Sequence, residues 1–230
     1  MSIVPYKTVS RRKRRVLDQS QVVAGALALL DEAGLDELTM RRLAERLGVK
    51  AASLYRHVRD KDELLILLAD AISAEIPFPT GSGTWREQLT EIAWNVRRGL
   101  LAHRDAARVL AATPPFGPRR LRHIEALLKT LRDAGLSSRE AARAGYHANN
   151  FVTEFAADEA RFAAFSAAPG SNRRKVLAQA RQAFKSLPRA EYPTLVSMAD
   201  DLTFDDQDEL FRFGVDLLLN GIERLTNQRR

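Results

Sequence analysis

The chain contains no cysteine. That excludes disulfides and thiolate metal sites and fits a reducing compartment. No run approaches the roughly 20 apolar residues of a membrane span. The longest candidates, Val22–Leu30 and Leu64–Ala69, are short and end in charge. The N-terminus has no apolar secretion core, so a cytoplasmic protein without a membrane partner is expected. Alternating polar and apolar stretches of useful length are missing, as are internal repeats, which argues against sheet and solenoid folds. A glycine-rich phosphate loop, a metal-spaced histidine pair and a nucleophile elbow are all absent, and the four histidines are scattered. No catalytic residues, metal or cofactor are expected, and an enzyme is the weakest reading.

Aromatics make up only 7%, whereas Ala, Leu, Arg and Glu dominate, a bias that favours helix. With 45% hydrophobic residues over 230 positions a full core is possible, and the net charge of +7 points to a polyanionic partner. The expected fold is all-α.

Residues 1–15 contain Pro5 and end in Arg11–Arg15, a run that repels itself and reads as a flexible basic arm; Arg14 and Arg15 are candidates for phosphate or minor-groove contact. A solvated tail is the alternative. Val23, Ala26, Leu27, Leu30 and Ala33 then follow a helical repeat, with Gly34 as its cap. Thr39 can cap a short helix that ends at Gly48, and a second short helix, about Ala51–His57, follows. Asp60 with Glu63 opens a longer helix ending near Glu75. Prolines and glycines from Pro77 to Gly83 mark a boundary between a domain at 16–76 and another at 84–228.

The second domain opens with the capping pair Thr84 and Glu87 and a helix over Trp85–His103. A short helix over Asp105–Ala112, one ending near Asp133, a long one from Ser137 to about Phe165, a basic one over Asn172–Leu187, a short one over Thr194–Asp200 and a last one over Asp206–Leu225 follow.

Leu38–Leu64 carries two short helices joined at Gly48, with Leu43, Ala44, Leu47, Val49 and Leu54 between them. That is the pattern of a helix-turn-helix, whose second helix enters the major groove. Ala51, Ala52 and Ser53 are small enough for the groove, and Tyr55, Arg56 and His57 can donate to phosphates or base edges.

With LTMRRLAERLGV, Leu54-Tyr55, His57-Val58 and Lys61…Leu64-Leu65, the segment resembles the N-terminal domain of the tetracycline-repressor (TetR) family of transcriptional regulators. The resemblance implies DNA contacts from Thr39, Met40 and Arg41, a reading helix spanning Lys50, Ala51, Ala52, Ser53, Tyr55, Arg56 and His57, and a phosphate contact from Lys61. Lys50 departs from the usual Ser or Thr cap, and Ala51 and Ala52 offer only apolar contact, so the operator sequence does not carry over.

Trp85-Arg86, Leu100-Leu101-Ala102-His103-Arg104-Asp105, Val109…Thr113 and Phe151…Asp158 resemble the tetracycline-repressor subclass itself. In that subclass a histidine helps hold a drug–magnesium chelate. Here that position is Leu110, two other drug-contact positions are Ile92 and Val96, and Asp158 alone is too little for a hard cation. A magnesium–tetracycline chelate is therefore not the expected effector. Ile92, Val96, Leu110, Thr113 and Phe116 are candidate walls of a pocket for a bulky, largely apolar small molecule, and Tyr146, His147, Asn150 and Glu154 are its candidate polar stripe. Pairing across a dimer or solvation is the alternative for that stripe. Trp94 reads as packing, and His103 and His123 as having no special role.

The last helix is apolar over more than one face, and Gly214 and Gly221 would allow close helix approach, so a second subunit is the expected cover. The resemblance implies a homodimer through helices at 138–165 and 206–225. The resulting expectation is a repressor released from double-stranded operator DNA by a small-molecule effector. An architectural DNA-binding protein and a regulator controlled by a protein partner are the rivals.

Overall fold

The computed structural model describes residues 17–166 and 172–227, and among these only helices, turns and bends occur. Arg14 and Arg15 lie outside the described residues. Helix α1 (Gln19–Ala33) starts at Asp18, whose carboxylate accepts the Gln21 N–H at 2.8 Å. Helix α2 (Met40–Leu47) starts at Thr39, whose hydroxyl accepts from Arg42 N–H at 3.2 Å. It stops at Gly48, which takes up φ 65° and ψ 31°, a left-handed geometry that costs glycine little. Helix α3 (Ala51–Leu54) is shorter than the sequence suggests; a turn carries the chain to α4 (Lys61–Glu75). Asp60 caps α4, but Glu63 reaches back to the Arg59 N–H at 2.6 Å, one residue beyond the expected capping box.

The inner face of α1 is Val22, Ala26, Leu29 and Leu30, so Val23 and Leu27 sit at the edge of the expected stripe rather than at its centre. That face meets Leu43, Leu54, Leu64 and Leu68 in one apolar cluster. The cluster does not stop at the punctuated stretch before residue 84. It continues through Leu100, Ala107, Val109 and Ala156, which come from the second half of the chain.

That half comprises α5 (Trp85–Leu101), α6 (Ala106–Ala111), α7 (Pro118–Asp133), α8 (Ser138–Ser166), α9 (Arg173–Lys185), α10 (Pro193–Ser197) and α11 (Gln207–Asn227), with a 3₁₀ turn at Asp201–Thr203. Thr84 and Glu87 form a full capping box on α5, and Ser137 with Glu140 repeats it before α8. A second cluster, centred on Phe211, Leu131, Val152 and Leu219, joins α5, α7, α8 and α11.

A buried charge fastens this second cluster. The Arg97 side chain is only 4% exposed; its guanidinium bonds Glu159 twice at 2.9 Å and Asp208 at 2.7 Å. It also lies 4.9 Å from the Phe211 ring centre. Burial works against the charge, but the two carboxylates outweigh it and raise the Arg97 pKa. Trp94 packs edge-on against Phe211.

Helix α11 is covered on one face only. Phe211, Val215, Leu219 and Ile222 are buried, while Leu210, Phe213 and Leu217 are exposed. The glycines divide in the same way. A Cβ on Gly214 would lie 2.4 Å from Phe151 of the same chain, so this glycine serves the internal α8–α11 contact. Gly221 faces open space.

Candidate functional site

The first candidate surface is the α2–α3 pair. Leu54 and Val58 are buried and hold the pair on the bundle, which leaves Thr39, Arg41, Lys50, Ala52, Tyr55 and Arg56 exposed. Met40, Ala51, Ser53, His57 and Lys61 are half-buried, with Met40 and Ala51 against the apolar cluster. The Tyr55 ring is 52% exposed, so core packing does not account for it. Lys50 stands at the cap position of α3 and makes no side-chain capping bond. Arg41 pairs with Glu45 at 3.5 Å on an exposed edge. Exposed cations and donors around a protruding turn are what a phosphate backbone requires.

The second candidate is a partly open cavity of about 360 Å³ lined from α4, α5, α6, α7, α8 and α11. Ser73 and Ile76 of α4 form one wall, Ile92, Ala93 and Val96 of α5 another, and Leu110 marks the end of α6. Helix α7 contributes Arg120 and His123, and α8 contributes Gly145, Tyr146 and Asn149.

Of the candidates from sequence, the cavity brings together Ile92, Val96, Leu110 and Tyr146. Thr113 is buried just behind the lining; its hydroxyl donates to Val109 O and accepts from Arg120. Phe116 is 72% exposed on the loop before α7 and does not line the cavity, although its neighbour Pro115 does. His147, Asn150 and Glu154 do not line it either, and Glu154 is exposed. The reason is helical phase: each four-residue step overshoots a full turn by about 40°, so a stripe begun at Tyr146 rotates outward. Beside Tyr146, the polar residue of α8 in the lining is Asn149, which is itself exposed. Asp158, the acidic position of the resemblance, is exposed and paired with Arg161.

Helix α7 is bound to α4 beside the cavity in a way the sequence did not reveal. Its first residues are Gly117 and Pro118, and no capping side chain precedes them. The cap comes from α4: Asp70 accepts the Arg119 N–H at 2.7 Å and the Arg120 N–H at 3.0 Å. A Cβ on Gly117 would stand 2.3 Å from the Asp70 carboxylate, so this approach needs glycine. One turn later His123 Nε2 donates to Ser73 O of α4 at 2.9 Å, and its ring stacks on Phe78 with centroids 4.3 Å apart. Burial lowers the His123 pKa against the pull of Ser73 and Asp70, so the ring is neutral.

A second joint lies at the turn between α5 and α6. His103 Nδ1 bonds Asp31 of α1 at 3.0 Å, and its Nε2 bonds Glu75 of α4 at 2.9 Å. Asp105, at φ 58°, accepts the Leu35 N–H at 2.8 Å, and Arg108 pairs with Asp36 at 2.8 Å. Burial disfavours the charged imidazole, but the bonds to Glu75 and Asp31 prevail and raise the His103 pKa. His103 and His123 therefore have structural work that the sequence reading denied them: both tie α4 to the second half. The only hint was position, His103 sitting in the His103-Arg104-Asp105 run.

Comparison with known proteins follows this geometry closely. Residues 22–68 match the family described as bacterial regulatory proteins, tetR family, and residues 77–226 match the tetracyclin repressor-like, C-terminal domain. An HTH-type transcriptional regulator of Saccharopolyspora erythraea is 37% identical over 142 residues, covering 61% of this chain and 60% of that protein. Against several tetracycline repressors of Escherichia coli the chain likewise spans about 60% of their length. The class G tetracycline repressor of Vibrio anguillarum is 34% identical over 91% of this chain and 95% of its own. The crystal structure of apo ActR from Streptomyces coelicolor aligns with a TM-score of 0.83 and 35% identity over 94% of this chain and 99% of that one. ActR has also been solved in complex with actinorhodin, which aligns with a TM-score of 0.82. Among the described residues no helix is long and apolar enough to cross a membrane.

Proposed function

The chain belongs to the tetR family of bacterial regulatory proteins, and from that premise we propose that it is a cytoplasmic, homodimeric repressor that leaves its operator when a largely apolar small molecule fills the cavity. The observation that carries this reading is the position of α4. Its first turns are packed into the helix-turn-helix bundle through Leu64 and Leu68, and its last turn walls the cavity through Ser73 and Ile76. A ligand that changes the fit of α7 and α5 against that last turn acts on the same rigid rod that carries the reading pair.

The operator contacts are assigned to Thr39, Arg41, Lys50, Ser53, Tyr55, Arg56, His57 and Lys61. The dimer forms through α8 and the bare face of α11, where Leu210, Phe213 and Leu217 await cover. Two reading pairs then stand about 34–36 Å apart, one turn of DNA. A ligand that binds a more splayed form better than the operator-competent one shifts the population by that difference in affinity. The ligand is read as other than a magnesium–tetracycline chelate: Leu110 stands at the histidine position of the resemblance, and among the described residues no carboxylate lines the cavity. The complex of the neighbour ActR with actinorhodin supports a cavity that takes a small molecule.

The test is fluorescence anisotropy with duplex from the gene's own upstream region against a scrambled duplex, at physiological salt. A preference of at least about 10³ for the native sequence is expected, lost by Tyr55→Ala. Weak, sequence-blind affinity would refute the assignment.

A further inference from the structure

Among the described residues, a buried guanidinium and a half-buried one keep different company. Arg97 meets two carboxylates. Arg120 meets none among the described residues, although it lines the cavity. Its Nη1 donates to Thr113 O at 3.0 Å and Thr113 Oγ1 at 2.9 Å, and its Nη2 donates to Leu110 O at 2.7 Å. All three acceptors are neutral. The nearby Asp70 carboxylate is occupied by the backbone N–H groups at the start of α7.

The rest of the lining contains no Asp, Glu or Lys, and His123 is neutral. Among the described residues Arg120 is thus the one formal charge of a mostly apolar lining. Burial pulls its pKa down, yet a guanidinium remains protonated in proteins. Arg120 is half-buried, and a partly desolvated cation with only neutral partners gains from a counter-charge; a fork of N–H donors matches a carboxylate in geometry as well as charge.

We propose that the effector is an apolar acid: a hydrophobic body that fills the space between α5, α8 and α11, with one anionic group, a carboxylate in the simplest case, paired to Arg120 at the α6–α7 end. This rests on the cavity being the effector site and adds the chemical class of its occupant. The same pairing explains how occupancy reaches α4. An anion that draws on Arg120 acts on the residue whose own N–H is held by Asp70 of α4.

The test uses two probes of one shape, anthracene-2-carboxylate and anthracene-2-carboxamide, titrated by fluorescence into the full-length protein. The wild type is expected to bind the acid about tenfold tighter than the amide, as a charge-assisted bond implies. Arg120→Gln removes that preference, so acid and amide bind alike whatever their common affinity, and Arg120→Lys keeps part of the preference. Equal affinity of the wild type for acid and amide overturns the proposal, as does an undiminished preference in Arg120→Gln; Arg120 is then only a clamp on the end of α6. If neither probe binds, the cavity reading beneath the proposal falls as well.

Discussion

The helix-turn-helix bundle and the cavity domain are both made of helices, but they are held together over different distances. In the bundle the defining contacts are short in sequence: Thr39 to Arg42, Asp60 to Glu63, Gly48 to Ala44 and Glu45. In the cavity domain they are long: Arg97 to Glu159 and Asp208, Arg86 to Asp216, and, across the two regions, Asp70 to Arg119 and His103 to Asp31. Local contacts make a reading head whose shape is insensitive to what happens elsewhere. Distant ones make a body whose helices can change their mutual fit and carry that change along α4.

The contrast can be broken most sharply at Arg97. Arg97→Ala leaves Glu159 half-buried without its partner, and a loss of about 3 kcal/mol is expected in urea denaturation, the lower end of the range because Asp208 remains solvated. Operator contacts made by the bundle should be unchanged in protein that stays folded. Next comes the joint at α7. Asp70→Ala removes the cap given across to Arg119 and Arg120, and about 1 kcal/mol of stability should go with it by thermal unfolding. The sharper expectation is functional: a ligand that releases the wild type from DNA should release this variant less well at equal occupancy. Thr39→Ala removes a cap of similar size, about 1 kcal/mol, but its effect should stay within the bundle and leave the ligand response intact.

The smallest effect is pH-dependent. The folded-state pKa of His103 is raised, so its stabilising bonds to Glu75 and Asp31 are fully present below the unfolded histidine value of about 6.5 and fade as pH climbs through the higher folded value. The stability difference between wild type and His103→Asn should therefore be largest in mild acid, at under about 1 kcal/mol given its exposed partners, and vanish at alkaline pH. A difference that grows with pH would contradict the assignment.

The same division decides what can be read from sequence. Caps at Thr39, Asp60, Thr84 and Ser137 announce helices because donor and acceptor are three residues apart. The walls Ile92, Val96 and Leu110 follow from family position. The cap that Asp70 gives to α7 spans some 50 residues and leaves only a negative sign, a Pro118 helix start with no cap in front. That Asn149 and not Asn150 belongs to the lining is a matter of helical phase on a 29-residue helix, which sequence spacing alone leaves open. Arg120 stands beside Arg119 and Arg122, and nothing local in the sequence marks it as the one that reaches the cavity.

Because the chain has no native cysteine, a single Ala52→Cys substitution on exposed α3 labels each reading pair at one defined site. Spin-label distances across the dimer, with and without anthracene-2-carboxylate, then report whether cavity occupancy moves the reading pairs. The account predicts a distribution compatible with the spacing of about 34–36 Å when the cavity is empty and a shift to longer distances once it is filled, a shift lost in Asp70→Ala. A filled cavity with an unchanged distribution would contradict it.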